Sequence, residues 1–291
     1  MRELSEAMSV TTATPSPASR STVLIRPTPS LPTLDIGEIW RRRELLYFLV
    51  LRELKLRYKQ AAIGVAWVVI QPVLAALIFA VIFGRFAKMP SDGQPYIIFV
   101  FTAVLPWTYF SEAVRRSTTG LIADAELIRK VYFPRLILPL ATVIAPLVDF
   151  AIGFIILLAL CAWNHVPLTP NLVFLPLFLV VAVALALSMG LWLGPLSVRY
   201  RDVIHALPFL IQVWLYASPV AYPLSIVPER WRLLYSLNPM VGVIEGFRWV
   251  VLGAARPDAG AMVTSSLVIA ASLVAGLIHF RKMERSFADI I

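Results

Sequence analysis

The sequence predicts an all-α membrane protein that crosses the bilayer six times. Hydrophobic residues make up 59% of the 291 residues and charged residues only 15%, whereas about a quarter of a soluble domain is charged. A helix needs about 20 apolar residues to cross a bilayer core that is about 30 Å thick. The segments that approach this length are roughly 63–85, 96–118, 136–162, 172–196, 203–222 and 259–280.

The basic residues are distributed unevenly between the loops of this arrangement. If the N-terminus is cytosolic, 20 of the 26 lysines and arginines fall in cytosolic segments and 6 in external ones. Lysine and arginine are enriched on the cytoplasmic side of membrane proteins, so we expect both termini to be cytosolic. The net charge of +9 then needs no nucleic acid as a partner.

Composition divides the rest of the chain into flanking segments. Residues 1–35 are rich in Ser, Thr and Pro and have no signal-peptide core, which predicts a disordered cytosolic tail. We expect an amphipathic interface helix over 36–60, a six-helix transmembrane domain over 61–281 and a cytosolic tail over 282–291.

The predicted interface helix carries two sets of residues at helical spacing. The apolar set is Tyr47, Leu51, Leu54 and Tyr58, and the cationic set is Arg52, Lys55 and Lys59. This pattern predicts a helix in the inner headgroup layer, with its apolar side toward the lipid tails and its cations toward anionic lipid. A plain juxtamembrane anchor and a helix that binds a partner remain alternatives.

A further segment, about 223–254, is too interrupted to be a span. Asn238 is a good N-cap and Pro239 a good first residue for a helix of about 14 residues. Glu245 and Arg248 are three apart on it and need each other, protein or water as partners. We expect a re-entrant pair of short helices on the outer side, with a surface loop that packs on the bundle as the alternative.

The sequence lacks the motifs of several catalytic classes. No Gly is followed by Lys, so the chain has no phosphate-binding loop for ATP. With one cysteine, Cys161, and three scattered histidines, we expect no catalytic residues, no metal and no cofactor in this chain. Asp149 lies inside a predicted span, where it could relay protons or lock two helices by a hydrogen bond. We favour the structural role.

Aromatic residues are dense on the second and fifth predicted spans. Aromatic faces stack on the C–H faces of sugars, so these residues are candidates to line a carbohydrate path. The candidates for this glycan path are Phe99, Trp107, Tyr109, Tyr216 and Tyr222, with Phe110 and Trp214 in the same segments. Packing inside the bundle is the alternative at each position.

Four stretches occur in order and together resemble one membrane-protein family. They are LRELKLRYKQAAIGVAWVVIQPVL (51–74), AELIRKVYFPRLILPL (125–140), LSVRYRDV (196–203) and LNPMVGVIEGFRWVVLG (237–253). They resemble the permeases of ABC exporters for O-antigen and related polysaccharides, which are members of the type-2 ABC transporter membrane family. The resemblance covers about residues 36–291.

The resemblance implies a coupling helix at about 124–132, which docks in a groove of a separate ATPase subunit. Pro134 disfavours helical geometry at the preceding residue and so ends this helix. Glu126 and Lys130 are four apart and can pair, while Ile128 and Tyr132 would form an apolar anchor. The implied docking residues are Asp124, Glu126, Ile128, Arg129, Lys130 and Tyr132, with a second cytosolic contact at Arg199, Arg201 and Asp202. A solvated loop is the alternative.

The resemblance also implies the partners and the cargo. We expect a homodimer with two copies of an ATPase that binds ATP and Mg²⁺, in the bacterial inner membrane. The cargo would be an undecaprenyl-diphosphate-linked polysaccharide, which moves from the cytosolic to the outer face. Four cations, Arg52, Lys55, Arg57 and Lys59, could attract the lipid diphosphate. The alternatives are export of teichoic acid, capsule or a small drug, a proton-coupled carrier and a membrane sugar transferase.

Overall fold

The described part of the chain is mainly helical, which confirms the all-α prediction. A computed structural model describes residues 36–59, 65–131, 133–284 and 287, and no strand occurs in these ranges. The predicted tail 1–35 lies outside them. The helices are α1 Ile36–Arg41, α2 Arg43–Tyr58, α3 Val65–Phe79, α4 Tyr96–Ala123, α5 Ala125–Lys130, α6 Ile137–Ile144, α7 Leu147–Trp163, α8 Leu175–Arg199, α9 Asp202–Tyr216, α10 Glu229–Tyr235, α11 Pro239–Leu252 and α12 Ala259–Glu284.

Five of the helical segments are long and apolar enough to cross a membrane. They are Ala66–Phe86, Tyr96–Ala123, Ile137–Trp163, Pro170–Arg199 and Ala259–Glu284, and each agrees with a predicted span to within a few residues. The remaining predicted span, 203–222, forms α9, whose 15 residues are about 22 Å long. That length is short of the bilayer core. The chain is therefore a multi-pass membrane protein, and the sixth span stays a prediction.

Helix α4 is the centre of the bundle. It packs against α3, α6, α7, α8 and α11, and most of its side chains are buried. It lies very close to α8, where a Cβ added to Gly190 would come within 2.1 Å of the Ser117 hydroxyl oxygen. Small residues at such crossings allow membrane helices to approach closely. The tight α4–α8 contact gives the bundle a fixed core around which the other helices are arranged.

The third predicted span is bent into two helices, α6 and α7. Helix α6 ends at Ile144 and α7 begins at Leu147, with Pro146 at its N-cap position. Proline has no N–H to donate to the preceding turn and commonly kinks membrane helices. The bend places Asp149 in the first turn of α7, near the middle of the span.

Helix α11 begins and ends as its sequence predicts. The Asn238 side chain accepts a hydrogen bond from the Met240 N–H at 3.1 Å, Pro239 is the first helical residue, and Gly253 follows the helix with φ of 65°. Such a left-handed residue is a common helix end, and glycine adopts it without strain. With 14 and 7 residues, α11 and α10 are too short to span. Their re-entrant placement stays a prediction.

The predicted interface helix consists of α1 and α2, which are separated at Arg42. Helix α2 packs against α6, and Leu49 is buried in an apolar cluster that also contains Ile137 and Phe280. The packed face of α2 runs through Leu45, Leu46 and Leu49. Tyr47 of the predicted apolar set is 60% exposed, and its contact with the lipid tails stays a prediction.

Candidate functional site

The segment between α4 and α6 forms a short elbow that is attached firmly to the bundle. Asp124 joins α4 to α5, is 7% exposed and makes an ion pair with Arg52 of α2. This ion pair fixes the elbow to α2, because burying a charged group is costly unless an opposite charge lies close to it. Asp124 therefore holds the elbow in place and is not free to contact an ATPase, which corrects its predicted docking role.

Ile128 is not an exposed docking anchor, contrary to the sequence prediction. It is 7% exposed and packs in the apolar cluster with Leu49, Leu121 and Phe133. A six-residue helix on the bundle must bury one face, and Ile128 lies on that face. Tyr132, the other half of the predicted anchor, lies outside the described residues.

The outer face of α5 carries the charges that the sequence predicts there. Glu126, Arg129 and Lys130 are exposed, and the Lys130 Nζ lies 2.6 Å from a Glu126 carboxylate oxygen. The predicted pair at i and i+4 is confirmed, although an exposed pair of this kind stabilises a helix only slightly. These three residues form a charged surface that is open to a partner.

The predicted second contact is also accessible. Arg199 ends α8, Arg201 lies between the two helices, and Asp202 begins α9. All three are exposed, and the Arg199 guanidinium lies 5.4 Å from the centre of the Tyr200 ring. Their contact with an ATPase stays a prediction.

A network of ion pairs joins α2 to α4 and α7. Arg57 pairs with Asp149 and lies 3.6 Å from Glu112, and the Tyr58 hydroxyl donates to Asp149. The remaining pairs are Arg116 with Glu53 at 3.2 Å, Arg116 with Glu112 at 2.7 Å and Arg115 with Glu112 at 2.8 Å. We call this set, with Arg52 and Asp124, the α2 charge network. Its four carboxylates and four guanidiniums balance in charge.

The network changes the role of two predicted lipid-binding cations. Arg52 and Arg57 face carboxylates of their own chain, so they are not free cations for a lipid diphosphate. Helical spacing alone could not show this, because the carboxylates are 72 and 92 residues away along the chain. Lys55 and Lys59 are exposed, and their contact with lipid phosphate stays a prediction.

Asp149 has the structural environment that the sequence favours. Its two oxygens accept from Arg57 and Tyr58, so it attaches α2 to α7 rather than one span to another. Burial, together with the hydrogen bond to Asp149, raises the pKa of Tyr58 to about 12. The Tyr58 hydroxyl therefore keeps its proton at neutral pH and serves as the donor.

Three of the five aromatic candidates are packed inside the bundle. Phe99, Trp107 and Tyr109 are 2%, 6% and 3% exposed, which favours the alternative of packing inside the bundle. Contact of these residues with a glycan stays a prediction. The Trp107 ring meets Trp214 edge-on, and the Tyr109 hydroxyl donates to the Val143 carbonyl at 3.2 Å. These three side chains form part of the interior of the helix bundle.

The other two aromatic candidates remain near the surface. Tyr216 is 59% exposed at the end of α9. The Tyr222 hydroxyl lies 2.7 Å from that of Tyr235. Burial and the hydrogen bond to Tyr222 raise the pKa of the Tyr235 hydroxyl well above its usual value, so the Tyr235 hydroxyl keeps its proton at neutral pH. Their contact with a glycan stays a prediction.

Glu245 and Arg248 form the pair that the sequence predicts on α11. The Arg248 Nη1 lies 2.9 Å from Glu245 and also donates to the Tyr222 carbonyl at 3.3 Å, while Nη2 donates to the Val220 carbonyl at 3.1 Å. Arg248 is 1% exposed, and its guanidinium carbon lies 3.7 Å from the Phe99 ring centre. Such a cation–π contact adds to the hydrogen bonds. The pair fixes α11 to the loop after α9.

The part of the chain described here contains no group of three His, Cys, Asp or Glu residues that could hold a metal ion. Glu53, Glu112 and Arg116 form a cluster that was not predicted from the sequence. Glu112 and Arg116 are four apart on α4, which is a signal for a pair. Their approach to Glu53 and Arg57 of α2 could not be predicted from spacing.

Comparison with known proteins identifies the family. The ABC-2 type transporter family matches residues 44–252. The O-antigen export system permease protein RfbA of Myxococcus xanthus is 29% identical over 259 residues, which cover 88% of this chain and 98% of that protein. The RfbA protein of Klebsiella pneumoniae is 26% identical over 85% of this chain and 95% of its own length. The polysialic acid transport protein KpsM of Escherichia coli is 25% identical over 82% and 93%. The chain belongs to the ABC-2 type transporter membrane family.

Proposed function

We propose that this chain is the membrane subunit of an ATP-driven exporter that moves a lipid-linked polysaccharide of the O-antigen type. The observation that carries the proposal is the match to O-antigen export permeases along 88% of the chain, together with five helices that can span a membrane. The similarity includes the elbow around α5 and the whole of α11. It therefore extends over the first four of the five helical segments that can span a membrane.

ATP hydrolysis belongs to a separate subunit in this proposal. The α5 elbow supports it, since Glu126, Arg129 and Lys130 present charge outward while Ile128 and Asp124 attach the elbow to the bundle. If the elbow is attached rigidly to the bundle, a motion of the ATPase can be transmitted to the spans as a rigid-body motion. The ATPase would bind ATP and Mg²⁺, and this chain would bind the ATPase through α5 and through the turn at 199–202.

The proposed assembly is a homodimer with two ATPase copies in the bacterial inner membrane. Both termini lie in the cytosol in this arrangement, and α10 and α11 lie on the outer side. The asymmetry of the basic residues supports this orientation. Residues 1–35 are then a cytosolic tail, α1 and α2 form the interface helix, and Lys55 and Lys59 face anionic lipid.

A capsule-type polysaccharide is the second candidate for the cargo. The similarity to a polysialic acid transport protein over 82% of the chain favours it. Teichoic acid or a small drug would use the same fold. A proton-coupled carrier is a weaker alternative, because both carboxylate oxygens of Asp149 already accept hydrogen bonds, from Arg57 and Tyr58.

The proposal is tested by deleting the gene and restoring it in the native host. Without the permease, we expect surface polysaccharide to disappear and lipid-linked glycan to accumulate on the cytosolic side, since synthesis continues while export stops. Surface polysaccharide is measured by gel electrophoresis, and the accumulated intermediate by lipid extraction. Restoring the intact gene should reverse both effects. Unchanged surface polysaccharide in the deletion strain would contradict the proposal.

A further inference from the structure

A polar stripe runs along one face of α4 that the rest of the bundle covers only partly. Its members recur at i, i+3, i+4, i+7 and i+11, and none of them is buried: they are Thr108, Ser111, Glu112, Arg115 and Thr119. The opposite face, through Phe110, Ala113 and Ser117, is fully packed. Polar residues on a membrane helix face protein, water or a polar ligand rather than lipid. We call this set the α4 polar stripe.

The stripe borders a cavity between α2, α3, α4 and the α6–α7 bend. The cavity has a volume of about 70 Å³, and its polar lining includes Arg57, Gln71, Thr108, Ser111, Glu112 and Asp149. Since one water needs about 10–15 Å³ of such volume, several waters or a few ligand hydroxyls fit in it. Gln71 is exposed on α3, a helix that is otherwise almost entirely apolar, and it lies at this cavity.

Several polar groups at the cavity have unused hydrogen-bonding capacity. Three threonines of α4, at 102, 118 and 119, donate to backbone carbonyls of their own helix. The Thr108 hydroxyl and the Gln71 amide have no hydrogen-bond partner among the described residues. Pro72 has no N–H, so the Val68 carbonyl, which is four residues earlier and also at the cavity, lacks its α-helical donor.

The charge balance at the cavity decides the class of ligand. Arg57 is paired with Asp149 and Glu112, and Glu112 with Arg115 and Arg116, so no unpaired cation is left for a diphosphate. Tyr109 and Phe150 contribute aromatic surface to the lining. Neutral hydroxyls beside paired carboxylates, amides and aromatic rings suit a sugar.

We propose that this cavity and the adjoining α4 polar stripe bind the hydroxyl edge of one neutral sugar unit of the exported glycan. The proposal rests on the proposed function, which supplies the glycan. Gln71 and Thr108 give and accept the hydrogen bonds, and the α2 charge network keeps the site neutral. The site lies on α3 and α4, and of the aromatic residues predicted for a glycan path it includes Tyr109.

Single-cysteine labelling tests the site directly. The only native cysteine, Cys161, is buried, so Cys161→Ala gives a background without thiols. Thr108→Cys is placed in that background, with Thr102→Cys on the packed face of α4 as the matched control. The probe is a charged, water-soluble methanethiosulfonate reagent. It is applied to membranes from cells that make the lipid-linked glycan and from cells that hold only undecaprenyl diphosphate.

We expect Thr108→Cys to react in membranes without glycan, and Thr102→Cys not to react in either. Glycan at ten times its dissociation constant should slow labelling at position 108 about tenfold. Equal labelling rates with and without glycan would overturn the proposal, and so would an unreactive position 108. Protection by undecaprenyl diphosphate or inorganic diphosphate alone would also overturn it, because the site would then bind an anion.

A second measurement covers the case in which the cysteine variant does not assemble. Thr108→Val and Gln71→Leu keep the approximate shape and remove the polar groups, while Thr102→Val is the control. Each lost hydrogen bond should lower the apparent affinity for the glycan about fivefold, measured as glycan-stimulated ATP hydrolysis of the purified complex. Wild-type affinity in the double variant would overturn the site. If the deletion strain kept its surface polysaccharide, the proposed function itself would fail, whatever the labelling showed.

Discussion

Two arginines lie among the apolar helices, Arg248 on α11 and Arg57 on α2, and they are stabilised in opposite ways. Arg248 is 1% exposed, and its carboxylate partner, Glu245, is one turn away on the same helix. The side chain of Arg57 is 23% exposed, and its main carboxylate partner, Asp149, is 92 residues away on α7. Arg248 is thus paired within its own helix, whereas Arg57 joins helices that are distant along the chain.

The difference shows which contacts can be lost without unfolding the chain. The Arg248 guanidinium makes one ion pair, with Glu245, so removing the guanidinium leaves a partly buried carboxylate without that partner. The α2 charge network has four carboxylates and four guanidiniums, so a lost member is partly replaced by its neighbours. We therefore expect α2 to tolerate the loss of one ion pair better than α11 does.

Arg248→Met should have the largest effect on stability. The variant leaves Glu245 without its cation and two carbonyls without donors, which should cost about 3–5 kcal/mol. The midpoint of thermal unfolding of the purified complex measures this loss. Arg248→Met with Glu245→Gln should recover a large part of it, since the unpaired charge is gone. A single variant as stable as the wild type would contradict the local account of this pair.

Asp149→Asn should cost less, about 1–3 kcal/mol. Arg57 keeps Glu112 at 3.6 Å as a second carboxylate, and the asparagine oxygen still accepts from Tyr58. A double-mutant cycle with Arg57→Gln measures the coupling energy between the two side chains. Glu126→Gln, at an exposed carboxylate, is the matched control. If Asp149→Asn lowered the unfolding free energy as much as Arg248→Met does, the neighbouring carboxylates would not be replacing Asp149 as partners of Arg57.

Tyr58→Phe should have a smaller effect, about 1 kcal/mol at neutral pH, because it removes one hydrogen bond to Asp149. The pKa of Tyr58 is raised in the folded chain from 10.0 to about 12, so the contribution is complete below pH 10 and is lost as the pH rises toward 12. The difference in unfolding free energy between wild type and variant, measured from pH 7 to 12, should shrink in that window. If this difference in unfolding free energy did not change between pH 7 and 12, the hydrogen bond from Tyr58 to Asp149 would be contradicted.

Glu126→Ala with Lys130→Ala should have the smallest effect on stability, within about 0.5 kcal/mol, because the pair is exposed. We expect the same double variant to reduce ATP-dependent export, since it removes charge from the surface proposed to dock the ATPase. Export and co-purification of the ATPase are measured beside the unfolding midpoint. Normal export with normal co-purification would count against the docking surface.

Most of the fold could be predicted from the sequence, because local chemistry decides it. Apolar length predicted five spans to within a few residues, and Asn238 with Pro239 predicted the start of α11. The Glu126–Lys130 and Glu245–Arg248 pairs followed from helical spacing. Each of these features depends on residues within a few turns of one another.

The features that could not be predicted depend on distant parts of the chain. Ile128 was expected to be an exposed anchor, and only the packing of α2 and α6 around the elbow makes it a buried one. Arg52 and Arg57 were assigned to lipid because the carboxylates of α4 and α7 are remote in sequence. The presence of aromatic residues likewise does not show whether they pack against other helices or line a glycan path. Trp107 packs inside the bundle.

Purifying the tagged chain from its native host in mild detergent tests the central claim most directly. We predict a stoichiometric partner that carries a phosphate-binding loop, and ATP hydrolysis that lipid-linked glycan stimulates in the reconstituted complex. The Glu126→Ala, Lys130→Ala variant should weaken both. A chain that purifies alone and still transports glycan without ATP would contradict the account.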